Sequence, residues 1–370
     1  MAQSWLVFDL TKSSFLLGLV GFLSSIPVFM LALFGGVIAD RVNKRTILII
    51  TQNAFMILAF LLAVLTHLKI ITVWQIMFIA LLNGVVMSFD APTRQAMVVE
   101  LVGKKYLMNA IALNSLAFNS SRIIGPALAG ILVASIGISG CFYLNAISFI
   151  AVIIALLFIK NESLSKKDSG ETILKDLLEG LVFIKNNRLI MILVSIVGVF
   201  SLFGVSYIII MPVFAHSVLN SGVKGFAILM SATGIGAMLG ALMLAALGNF
   251  RHKGKLLFIS SMVFSVSLIL LSFARTFPAS IAALVLVGWG SVSATALVNT
   301  ILQILVPDHV RGRVMSVFMF TFAGILPFGN LIAGTFSQMF GVSAALFIGG
   351  VICTSFTIFI NLLYRDLRNC

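Results

Sequence analysis

Apolar runs of about 20 residues and longer recur along the whole chain, separated by short polar turns. At 1.5 Å of helical rise per residue, each is long enough to cross a hydrocarbon core of about 30 Å. The pattern predicts eleven full spans, near 14–39, 46–66, 72–93, 108–135, 139–160, 189–216, 221–248, 256–275, 278–304, 312–338 and 343–364. The runs do not alternate as ten-residue strands do, so helices are predicted rather than a barrel. Ahead of the first run stands a stub, Met1–Phe8. The one long polar interruption is 160–188, with an amphipathic stretch over 172–184 that reads as a surface helix. The expected organisation is a helical bundle over 1–160, a linker over 161–188, a second bundle over 189–364 and a tail over 365–370.

The two bundles repeat each other. Shifted by 204 residues, Gly18, Gly21, Gly36, Gly84, Gly125, Gly130 and Gly137 fall on Gly222, Gly225, Gly240, Gly288, Gly329, Gly334 and Gly341. Chance alone predicts about one such match. Glycine lets helices approach closely, so shared positions predict shared packing. The same offset maps the helix near 189 to a start about 15 residues ahead of Met1. A stub of eight residues rises only about 12 Å. The repeat therefore predicts a first helix longer than Met1–Phe8.

Composition fits this picture and adds an orientation. The chain is 61% hydrophobic and 9% charged, with a mean hydropathy of +1.18. A soluble domain of 370 residues could not hide that much apolar surface. The net charge of +13 is not spread as a nucleic-acid-binding face. Of 24 Lys and Arg, 19 fall in loops on one side, including the linker and tail. Only Lys12, Lys69, Lys224 and Arg275 lie on the other, and Arg122 lies within a span. The basic side, with linker and C-terminus, is the expected cytoplasmic side of a multi-pass plasma-membrane protein. Cys141, Cys353 and Cys370 show no metal or disulfide spacing. No phosphate-cradling Gly-x-x-x-x-Gly-Lys-Ser/Thr loop is present, so neither a catalytic role nor a cofactor or metal is expected.

The turn between the first two full spans reads Gly35-Gly36-Val37-Ile38-Ala39-Asp40-Arg41-Val42-Asn43-Lys44-Arg45. It resembles the signature loop of the major facilitator superfamily, with Asn43 where a glycine is usual. Asn tolerates a left-handed turn, which makes the departure mild. The resemblance implies the major facilitator fold, two pseudo-symmetric six-helix bundles, here with a truncated first helix. It also implies a latch between the halves on the cytoplasmic side, built from Gly36, Asp40, Arg41, Lys44 and Arg45. Asp90 and Arg94 in the next turn, and Arg311 and Arg313 opposite, complete the set. Physically, the Asp40 carboxylate would face the positive end of the helix starting near 312. An ordinary basic topology loop is the competing reading.

Further runs narrow the resemblance: Phe89-Asp90-Ala91-Pro92-Thr93-Arg94-Gln95-Ala96, Ser121-Arg122-Ile123-Ile124-Gly125-Pro126, and Pro307-Asp308-His309-Val310-Arg311-Gly312-Arg313. They resemble the branch that holds the enterobactin exporter and macrolide-efflux-like proteins. What this implies is secondary active export of a small apolar or amphipathic molecule by alternating access, by a monomer, with protons as coupling ion.

Candidate cavity residues follow from polarity inside spans. Ser115, Asn119, Arg122 and Pro126 share one helical face. Arg122 is either a hook for a polar or anionic substrate or a structural arginine bonded to a neighbouring helix. Asn83, Asn114, Tyr207, Trp289 and Asn330 are further hooks, or bridges between helices. Gly125, Pro126 and Gly130 resemble the bend-forming motif on the fifth helix of facilitator antiporters, although Ser121 and Ala112 replace glycines of the full pattern. For proton coupling the candidate is Asp9, whose other reading is a helix-end residue; a coupling residue ahead of Met1 and the absence of one are the alternatives. The other ten acids read as loop or loop-edge residues. A metabolite importer of the same fold and a non-transporting truncated remnant are the alternatives.

Overall fold

The computed structural model describes residues 1–159, 173–248 and 250–363, and all regular structure among them is helical. Helices α1 (Ala2–Thr11), α2 (Ser14–Arg41), α3 (Lys44–His67) and α4 (Val73–Phe158) fill the first half of the chain. Helix α5 (Ile173–Asn186) covers most of the stretch expected to be amphipathic. Helix α6 (Arg188–Val199) passes through a π-helical turn, Phe200–Val205, into α7 (Tyr207–Ser217). Helices α8 (Val223–Leu247), α9 (Lys253–Phe273), α10 (Phe277–Leu305), α11 (Asp308–Phe340) and α12 (Val342–Leu363) follow.

Three predicted spans, 72–93, 108–135 and 139–160, fall on the single α4, hydrogen-bonded as one helix of 86 residues. It cannot be straight. Asp90 bonds Thr51 and Phe149 stacks on Phe55, yet Thr51 and Phe55 are one turn apart on α3. A straight helix would set Asp90 and Phe149 about 90 Å apart. The chain therefore doubles back. Gly137, inside α4, has φ +76, and its repeat partner Gly341, between α11 and α12, has φ +86. Both take the left-handed conformation that a Cβ opposes, so the repeat extends to the backbone.

Ten helical segments among the described residues are long and apolar enough to cross a membrane. The sequence pattern counts eleven. In this count the predicted spans 108–135 and 139–160 share one segment, Ile123–Phe158. Large apolar side chains face outward around the bundle, among them Trp74, Met30, Ile131 and Phe158. A water-soluble protein would bury them; a bilayer solvates them.

Helix ends are set by local chemistry. Thr72 and Gln75 form a reciprocal capping box at the start of α4. Asn43 has φ −57, so the left-handed conformation that Asn tolerates is not used here. Its Oδ1 accepts from Thr46 N–H at 3.3 Å, so it serves as the N-cap of α3. Arg45 donates through Nε and one terminal nitrogen, both at 2.8 Å, to the carbonyls of Leu156 and Leu157 at the end of α4. The Leu156 carbonyl also accepts from the C-cap Ile159 N–H at 3.3 Å, and a cation at this helix end suits the helix dipole.

Candidate functional site

The seam between the two halves of the chain is the place where the predicted residues meet. It has two ends. One end carries the basic loops, and the other carries Lys12, Lys69, Lys224 and Arg275.

At the end away from the basic loops the seam is closed. Gly18 of α2 and Gly334 of α11 meet backbone to backbone. One turn deeper, Gly21 packs beside Ile209 and the amide of Asn330. Deeper still, Phe22 meets Phe328 edge-on at 5.8 Å, and Phe29 meets Phe320 at 4.8 Å. Above Gly18, Gln338 of α11 crosses the seam. Its Oε1 accepts from Ser13 Oγ at 3.1 Å, Ser14 N–H at 2.9 Å and Phe15 N–H at 3.4 Å. These are donors at the first turn of α2 that its own helix cannot satisfy. A second crossing repeats the arrangement. Gly130 of α4 packs onto Ala227 of α8, and Ser231 Oγ lies 3.4 Å from the Ile123 carbonyl it donates to. Under the 204-residue offset Gly130 is the partner of Gly334 and α8 corresponds to α2, so corresponding helices cross in both places, in a different register: Gly222, the partner of Gly18, meets nothing within 4 Å. Helix α1 adds to the closure: Trp5 stacks on Phe226 at 6.0 Å and Phe8 meets His216 edge-on at 5.3 Å.

The glycine repeat also governs packing within each half. Gly84 of α4 lies against Ser24 and Pro27 of α2, and its counterpart Gly288 of α10 lies against Thr233 of α8. Gly329 packs on the π-helical turn at Ser201, Leu202 and Ser206. The wide turn leaves the carbonyls of Ser201 and Leu202 to Ser206 Oγ, which donates at 3.0 and 3.2 Å. Gly125, the partner of Gly329, meets nothing within 4 Å, so the repeat is broken there.

At the basic end the predicted latch residues separate into groups. Asp90 is fully buried rather than at a loop edge, because α4 continues as helix through Pro92. One carboxylate oxygen accepts from Thr51 Oγ1 at 2.8 Å and Gln52 Nε2 at 2.7 Å, and the other pairs with Arg94. A buried carboxylate with several donors ties α4 to α3; Gln52 depends on it, while Thr51 Oγ1 also reaches the Leu48 carbonyl at 3.1 Å. Lys44 pairs with Glu100 at 2.6 Å. Arg313 pairs with Glu179 of α5 at 2.6 Å, and Arg311 donates to the Val306 carbonyl at 3.2 Å. Gly36, Asp40 and Arg41 lie in the last turns of α2, and the Asp40 and Arg41 side chains are outside the described residues.

The cavity candidates are likewise spread. Asn83 donates to the Ile79 carbonyl of its own helix at 2.9 Å. Asn114 is exposed, Tyr207 and Asn330 are buried, and Trp289 is half-buried on α10. Ser115, Asn119 and Arg122 lie on α4, with side chains outside the described residues. Pro126 sits mid-helix in α4, beside the exposed Gly125. Asp9 stands at the end of α1, 56% exposed and paired with Lys12 at 2.7 Å. Sequence reading missed Gln338, Ser13, Ser14, Thr51, Gln52 and Glu179. Thr51-Gln52-Asn53, three polar residues inside an apolar span, was a signal for two of them.

With this geometry, comparison with known proteins is specific. The family model described as transmembrane secretion effector matches residues 1–367. The staphyloferrin A transporter of Staphylococcus aureus is 27% identical over 368 residues, 99% of this chain and 91% of that protein. The enterobactin exporter EntS of Salmonella typhimurium is 26% identical over 307 residues, 82% of this chain and 73% of that protein. The crystal structure of the nucleoside transporter NupG superposes with a TM-score of 0.80 at 13% identity, over 98% of this chain and 93% of that one. At that identity the likeness bears on the fold alone.

Proposed function

The chain belongs to the transmembrane secretion effector family of membrane transporters, and on that footing we propose that it exports a small apolar or amphipathic molecule, siderophore- or drug-like, by alternating access. The observation that carries this reading is the closed seam. Two crossings, Gly18 with Gly334 and Gly130 with Ala227, join the halves toward the end away from the basic loops. Contacts this close and this free of side chains are dry and separable, as a gate must be. With the basic loops on the cytoplasmic side, the joined end faces outward, and in this reading cargo enters from the inner end, where an exporter loads.

The substrate class follows from what lines the spans. Phe22, Phe29, Phe320 and Phe328 cluster along the seam below the gate. Arg122 is the one Lys or Arg in the middle of a predicted span rather than near its end, which leaves a greasy path with few polar hooks. Asn114, Asn119 and Ser115 lie on the same stretch of α4 as Arg122 and are the hooks in this reading. A siderophore-like cargo is also what two relatives' names suggest. The energy source in this reading is the proton gradient, with Asp9 as the carboxylate exposed on the outer side and Lys12 as the partner it releases when protonated.

The test is efflux from cells expressing the full chain and preloaded with enterobactin, staphyloferrin A or the dye ethidium. Faster loss of at least one probe than from cells without the chain, slowed by a protonophore, is the expected result. Unchanged efflux of all three, or accelerated uptake, would reject the export reading.

A further inference from the structure

The second crossing carries a groove on its flank. A cavity of about 700 Å³ lies between α4, α8 and α10. Ala134 and Ser135 line it from the first half of the chain, Lys224, Ile228 and Ile235 from the second, and Ile281 closes one side. Gly130, where it touches Ala227, forms part of its floor. Ile131, Ile228 and Ile235 are exposed along it, so the groove opens sideways, out of the bundle. Water does not fill an apolar slot at that depth; hydrocarbon does.

One end of the slot is different. Lys224 is the second residue of α8, exposed at the helix end, where a lysine reaches the headgroup layer. Among the described residues Lys224 has no carboxylate partner. Of the other cations at that end, Lys12 is engaged with Asp9 and Arg275 with Ser343 and the Ser272 carbonyl, and Lys69 lies outside the groove. From Lys224 to Ile235 the helix rises about 16 Å, close to the depth of one leaflet of a core of about 30 Å.

We propose that this groove is a binding site for one anionic phospholipid, its headgroup phosphate paired with Lys224 and one acyl chain laid along Ile228 and Ile235. Charge complementarity at one end and an apolar slot one leaflet deep select that ligand over a zwitterionic lipid. Because both halves of the chain build the slot, the lipid bridges the seam. Binding then favours the conformer in which Gly130 and Ala227 are in contact, and that conformer favours binding by the same factor.

The experiment is native mass spectrometry of the full chain, released from bilayers of equal phosphatidylglycerol and phosphatidylcholine. Wild type is expected to keep phosphatidylglycerol about fivefold over phosphatidylcholine, the preference that one lysine near an anionic surface supplies. Lys224→Gln is expected to remove the preference, and Ala134→Trp, which fills the slot, to remove the retained lipid altogether. Lys69→Gln, a control at the same end but outside the groove, leaves both unchanged. Equal retention of the two lipids by wild type, or an undiminished preference in Lys224→Gln, would overturn the proposal. So would Ala134→Trp protein that retains as much lipid as wild type.

Discussion

Gly18 of α2 and Gly334 of α11 leave no room between them: a Cβ on Gly18 would stand 2.9 Å from the Cα of Gly334, and one on Gly334 would stand 2.7 Å from the Cα of Gly18. Both are backbone contacts, so no side chain can rotate away. Gly334→Leu must push α2 and α11 apart. Overpacking of this kind costs about 1–3 kcal/mol, and the closed end bears it. The variant is expected to melt at lower temperature in detergent and to expose a cysteine at position 338 to maleimide. Gly125→Ala, in open space, is expected to match wild type in both.

Gln338 holds the same gate by capping. Its one oxygen accepts three bonds from the start of α2. Gln338→Ala leaves those donors without a protein acceptor, at a cost of about 1 kcal/mol typical of a lost N-cap. Faster hydrogen exchange at the Ser14 and Phe15 amides, with unchanged exchange in α12, is the expected signature. Gln338→Glu keeps an acceptor in place and is expected to restore protection.

These two residues also show what the sequence made legible. The glycines were readable because their purpose is local to themselves: a missing side chain at a repeated position means a close approach whatever the partner is. Gly137 and Gly341 carried the repeat down to backbone conformation. Gln338 was not readable, because a glutamine near a helix end has no meaning until the residues 325 positions earlier are placed beside it. Asp90 was misread for a related reason. Pro92 and Arg94 looked like the edge of a loop, but a proline within α4 did not end the helix, and the carboxylate was carried inside against Thr51 and Gln52. Asn43 was read for its turn tolerance, when its side chain caps α3 instead.

Asp90 is therefore expected to be a stability residue. Asp90→Ala strands the buried Gln52 amide, while Thr51 keeps the Leu48 carbonyl as acceptor, and an unpaired buried polar group costs about 1–3 kcal/mol. The variant should be the least thermostable of the basic-end series in detergent melts. Asp90→Asn keeps an acceptor for Gln52 and should fall between it and wild type. An Asp90→Ala protein as stable as wild type would show that the four-residue cluster does not hold α4 to α3.

The Arg313–Glu179 pair is expected to behave differently. Both side chains are partly exposed, and ion pairs of that kind contribute about 0–1 kcal/mol. A double-mutant cycle of Arg313→Gln with Glu179→Gln should give a small coupling energy that falls further at high salt. A large, salt-insensitive coupling would mark α5 as a rigid part of the bundle.

The central claim is that cargo passes when the gate at Gly18 and Gly334 opens. Ser13→Cys with Gln338→Cys places two thiols across it, and a short bifunctional methanethiosulfonate reagent ties them reversibly. Efflux of a preloaded probe, measured before cross-linking, after it, and after reduction, tests the claim directly. Efflux is expected to stop on cross-linking and to return with reductant, while each single cysteine variant keeps transporting. Undiminished efflux through the cross-linked protein would contradict it.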